Sequence, residues 1–154
     1  MGDANATAKN TMPSDEELYG SKIAELVERY GEVPPLWAYY PRIHPVDIHW
    51  RMGGGEDYKY LFSTWEKRRD WSIEDRIAYV QRWDPPFSWL EYVAWFLWPD
   101  DFDAHDVVEP SELHFARMEA LGFGSRKDWE RCFNIDPDKY PVADDTSSRW
   151  LDRK

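Results

Sequence analysis

The chain has 154 residues, the length of one ordinary domain. Its 19 Lys plus Arg against 30 Asp plus Glu leave a formal charge of −11, which argues against free nucleic acid as a partner, because phosphate binding needs concentrated cations. An apolar content of 42% with ten Trp argues against a disordered chain, and the single Cys against a disulfide framework or a multi-cysteine zinc site.

Residues 1–13 are small and polar and read as a flexible tail. They lack a basic start followed by an apolar run, so no secretory leader is expected and the protein is expected to be cytoplasmic. Ser14 and Glu17 have capping-box spacing, and Ile23, Leu26, Val27 and Tyr30 follow at helical intervals up to Gly31. A first helix over about 15–30 follows from this pattern.

Residues 31–52 change character. Pro34, Pro35, Pro41 and Pro45 forbid a long regular helix. The same stretch carries Trp37, Tyr39, Tyr40, His44, Asp47, His49, Trp50 and Arg51. A connection with this much aromatic surface packs on the helices, either as a structural wrap or as one wall of a site.

Gly53, Gly54 and Gly55 lead into a second helix over about 55–69, with Tyr58, Leu61, Phe62 and Trp65 as its apolar stripe. Ser72 with Asp75, and Ser88 with Glu91, repeat the capping-box spacing, and Phe87 with Tyr92 is spaced as a hydrophobic staple. They predict a third helix over about 73–83, burying Ile73, Ile77 and Val80, and a fourth over about 89–98. The fourth is apolar on nearly every face, which predicts a central position. It is too short to span a bilayer, which takes about 20 apolar residues, so no membrane partner is expected.

Pro110 suits the first turn of a fifth helix, with Leu113, Met118 and Leu121 as core residues and Gly122 as its stop. Ser125 and Asp128 cap a short sixth helix carrying Trp129, Cys132 and Phe133. No alternating strand pattern and no internal repeat is present. The sequence therefore predicts an all-α fold: one helical domain over 14–140 with five to six helices and a long Pro-rich aromatic loop at about 31–52. A loosely ordered tail over 141–154 follows, with Trp150 able to dock back.

Four features bear on function. Glycines ahead of a helix expose backbone N–H groups, and Arg51 adds a fork for an anion; against this stand Glu56 and Asp57 in the first turn. The blander expectation is a tight turn with Arg51 paired to one of those acids. His44, Asp47, His49 and Glu56 are plausible ligand types for zinc, iron or manganese, provided they converge in space; His114 is a further candidate. Asp100, Asp101 and Asp103 begin an acidic stretch running to Glu112. It has part of a calcium-loop spacing but lacks the glycine of the sharp turn, so a solvated acidic loop is the simpler expectation. Trp37, Tyr39, Tyr40 and Trp50 are either bulky core or an exposed recognition surface.

The leading expectation is a small acidic protein-binding module without catalysis, an inhibitor or antidote of a basic protein or an adaptor for one. Its contacts would be Trp37, Tyr39, Tyr40, Trp50, Arg51, Glu56, Asp57, Asp100, Asp101 and Asp103. The alternative is a metal-dependent enzyme or metal-binding protein built on segment 44–57. The third is a small-molecule or sugar binder on the aromatic loop, which needs an open apolar cleft with a few inward polar groups. No cofactor is indicated.

Overall fold

The computed structural model describes residues 12–102 and 109–134. The C-terminal tail with Trp150, the N-terminal tail up to residue 11, and Asp103 with the middle of the acidic stretch lie outside the described residues.

Among the described residues the fold is all-helical, as expected. The α-helices are α1 (Asp15–Tyr30), α2 (Leu36–Tyr39), α3 (Gly54–Lys67), α4 (Ile73–Arg82), α5 (Leu90–Leu97), α6 (Glu112–Ala120) and α7 (Arg126–Phe133). Single 3₁₀ turns occupy Ile48–Arg51, Phe87–Trp89 and Pro99–Asp101.

The capping boxes form at Ser14, Ser72 and Ser125 as their spacing predicts. Each serine accepts the N–H three residues on, and the Glu or Asp there accepts the serine's own N–H. The box expected at Ser88 does not form. After Pro85 and Pro86 the chain winds as a 3₁₀ turn containing Ser88, and α5 starts one turn later with Trp89 as its uncapped N-cap. Nor do Phe87 and Tyr92 make a local staple. Phe87 lies over Gly124, and Tyr92 packs on Trp37 and Trp89 with ring centroids 6.1 and 5.5 Å apart.

A fourth box sits at Ser111, where His114 takes the role of the acid: the Ser111 N–H donates to His114 Nδ1 at 3.0 Å. Pro110 therefore precedes the cap instead of opening the helix. α6 ends in a Schellman motif, with Phe123 N–H donating to Met118 O and Gly122 N–H to Glu119 O. Gly122 has φ +83°, a value that favours glycine there.

One core cluster runs through the described residues, with α5 at its centre. Leu90, Val93, Ala94 and Leu97 are almost completely enclosed, in keeping with the all-round apolar sequence. The α3 stripe is buried as predicted: Tyr58, Leu61, Phe62 and Trp65. Three expectations of face need correction. On α4, Ile73 is exposed and Tyr79 is fully buried, its hydroxyl donating to Val33 O at 2.7 Å. On α6, Leu113 is exposed at 58%, whereas Phe115 is buried beside Met118. On α1, Val27 lies at the rim and Ile23 and Leu26 carry the contact. In each case the neighbouring elements, not the period alone, select which apolar residues of the helix face inward.

Most tryptophans belong to this core. Trp37, Trp50, Trp65, Trp83, Trp89 and Trp129 are buried, and Trp71, Trp95 and Trp98 are half-buried. Their size accounts for part of the architecture, because the indole N–H groups pin loops to helices. Trp37 donates to Trp83 O at 2.6 Å, and Trp83 donates to Glu32 at 2.7 Å. Arg82 completes the second contact with a two-pronged bond to Glu32, fastening the end of α4 to the start of the Pro-rich loop.

No helix among the described residues is long and apolar enough to cross a membrane.

Candidate functional site

The Pro-rich loop wraps the helices and is held at several points. Tyr58 from α3 donates to Pro34 O at 2.5 Å. Further along, Val46 N–H donates to His44 Nδ1 at 3.3 Å. That leaves the proton on Nε2, which lies 3.0 Å from Phe133 O at the end of α7. His44 is buried, and burial lowers its pKa below the ordinary histidine value. Trp50 N–H donates back to His44 O at 2.9 Å, and the Asp47 carboxylate caps the 3₁₀ turn through His49 N–H at 2.8 Å. The loop is thus clamped between α7 and α3.

The candidate metal ligands do not gather. His44 is occupied by Phe133 and Val46, and Asp47 by the turn it caps. His49 packs its ring against Tyr40 with centroids 4.5 Å apart, and its Nε2 is buried without a hydrogen-bond partner among the described residues. His114 lies with Ser111 and Asp101 instead, its Nε2 2.9 Å from the Asp101 carboxylate. Among the described residues no three His, Cys, Asp or Glu side chains form a group able to hold a metal ion.

The three glycines serve packing. A Cβ on Gly55 would stand 2.8 Å from the His49 carbonyl carbon and closer still to its oxygen, and one on Gly54 would stand 3.0 Å from the Tyr40 hydroxyl. Glu56 and Asp57 occupy the first turn of α3, so its N-terminus faces its own acids. Among the described residues Arg51 pairs with neither of them.

The aromatic residues part company. Trp37 and Trp50 are core residues, in line with the bulky-core alternative. Tyr39 stacks flat on Tyr58 at 3.9 Å and, with Tyr40, Asp57 and Lys22, borders an open groove beside α1. Asp100 is exposed, and Asp101 bonds to His114.

A second cleft is more enclosed. It measures about 470 Å³, and its walls are Leu36, Trp50, Trp89, Tyr92, Trp95 and Phe133. Pro45 and Val46 contribute from the clamped loop, and Ser88 from the 3₁₀ turn before α5. Three charged side chains border it: Arg51, Lys59 and Glu91. Lys59 reaches the Trp50 carbonyl at 3.4 Å. Glu91 is half-buried, and burial together with the nearby Glu109 raises its pKa above the ordinary carboxyl value.

Of the sequence candidates, only Trp50 and Arg51 border this cleft. Lys59, Glu91, Tyr92, Trp95 and Phe133 come from three other helices. One of them carried a legible signal: Glu91 is the sole charge in the apolar run 89–98.

No family model matches the chain, and no curated protein or solved structure matches it either.

Proposed function

We propose that the protein binds a small molecule with an apolar, ring-bearing body in the cleft beside Trp50 and Trp95. The observation that carries this reading is the cleft itself. Its volume, about 470 Å³, suits a small ligand, and its apolar walls with a few polar groups are the usual make-up of a ligand pocket. Val46 lines the cleft yet is 58% exposed, so Val46→Trp narrows the mouth without entering the core. Ligand-observed NMR against ring-bearing compounds of each charge type is expected to find binders that Val46→Trp weakens at least tenfold with an unchanged melting temperature. No binder of any charge type overturns the reading.

A second reading keeps the protein-binding module, as inhibitor or adaptor of a basic partner. Val46, Ile48 and Met52 favour it, being 58–66% exposed along one loop at the cleft's edge. The formal charge of −11 would steer a cationic protein toward this chain. A photo-crosslinker at position 48 is expected to capture one basic protein in stoichiometric amount, lost at high salt and in Met52→Asp. Absence of such a species removes this reading.

A further inference from the structure

Charges of opposite sign border the same apolar cleft without neutralising each other. Arg51 and Lys59 stand on the side of the 3₁₀ turn and α3, and Glu91 on α5. Neither cation forms an ion pair with Glu91 within 4.0 Å, and among the described residues Arg51 and Glu91 have no hydrogen-bond or ion-pair partner at all.

That arrangement is unusual for its cost. A half-buried carboxylate against Trp and Tyr loses hydration and normally recovers it from a donor. Two other half-buried acids do so: Glu32 takes Arg82 and Trp83, and Glu66 takes Arg76 at 3.0 Å. Glu91 instead faces a cavity, with Glu109 adding repulsion. A cationic or N–H-donating group entering the cleft would supply the missing partner. Arg51 offers a planar fork and Lys59 a compact ammonium, and both suit a carboxylate.

We infer that the cleft's ligand is a zwitterion of the α-amino-acid kind, with a large apolar or aromatic side chain against Trp50, Tyr92 and Trp95, its ammonium toward Glu91 and its carboxylate toward Arg51 and Lys59. The inference rests on the small-molecule reading of the cleft and adds the ligand's charge pattern. Both interactions are charge-assisted, and the one at half-buried Glu91 is partly shielded from water, so it contributes to affinity more than an exposed ion pair does.

A matched series on one ring tests it: L-tryptophan, indole-3-propionate, tryptamine and 3-methylindole, titrated by calorimetry and ligand-observed NMR into the full chain. L-Tryptophan is expected to bind at least tenfold more tightly than either singly charged analogue, and 3-methylindole most weakly. Glu91→Gln should abolish the preference for L-tryptophan over indole-3-propionate, and Arg51→Ala with Lys59→Ala should abolish the preference over tryptamine. The two cations are exposed, so that double variant is expected to fold normally. Equal affinity across the series, with Val46→Trp still blocking it, overturns the zwitterion and leaves the cleft as a binding site. A preference for one singly charged analogue overturns it too and identifies the charge the site takes. No binding by any of the four overturns the zwitterion, and it overturns the cleft reading as well when the wider compound set is also silent.

Discussion

Gly53, Gly54 and Gly55 look interchangeable in the sequence, yet the structure predicts three different responses to alanine. At Gly55 the new Cβ meets backbone, standing 2.8 Å from the His49 carbonyl carbon. That carbonyl belongs to the 3₁₀ turn holding Trp50, which is buried and bonded to His44 O. The turn cannot retreat without disturbing the core. The expected cost is about 3 kcal/mol, the upper end for overpacking. For a chain of this size that lowers the melting temperature by about 6–12 °C. At Gly54 the obstacle is the tip of the Tyr40 side chain at 3.0 Å, which can turn aside. Alanine also suits a helix better than glycine, so the net change should stay within about 1 kcal/mol. At Gly53 there is space for a Cβ, but φ +66° with ψ −135° is a glycine conformation. There the cost is strain alone, about 1–3 kcal/mol. Urea unfolding of the three variants, with far-UV and tryptophan signals compared, gives the ranking. Gly55→Ala within about 1 kcal/mol of wild type, or less damaging than Gly54→Ala, refutes the packing argument.

Two further outcomes follow. His44 is held neutral in the fold, with its pKa below the value of an unfolded histidine. As pH falls below about 6.5, the unfolded chain takes up the proton first. The stability His44 contributes is therefore complete above that pH and declines as pH drops toward its folded pKa. Urea midpoints measured from pH 7.5 down to 5.5 should fall less steeply in His44→Gln, and parallel curves would contradict the assignment. On α6, Phe115→Ala should cost about 3–5 kcal/mol and Leu113→Ala under about 0.5, as judged by thermal unfolding; the reverse order would mean that α6 presents its other face.

The caps at Ser14, Ser72 and Ser125 were legible in the sequence because a capping box needs only a side chain and a backbone group three residues apart. The α3 stripe was legible for the same reason: four bulky residues at helical spacing leave one choice of inner face. So was the central place of α5, which has no polar face to turn outward. Where apolar residues offer more than one possible inner face, as Leu113 and Phe115 do two positions apart, periodicity did not choose correctly, and the helix's neighbours decided.

The cleft is the clearest case of what lay beyond the sequence. Its borders come from the clamped loop, α3, α5 and the end of α7. Arg51 and Glu91 are forty positions apart, and no local rule relates them. They share a cavity because His44 fastens the loop to Phe133 and because Trp50 is drawn into the core. By itself the sequence determined the helical class, most of the helix boundaries, and an acidic, aromatic-rich composition. Only the tertiary structure decided which aromatics are core and which charges meet in a pocket. Those outcomes depend on burial and on contacts between distant segments, which spacing along the chain does not encode.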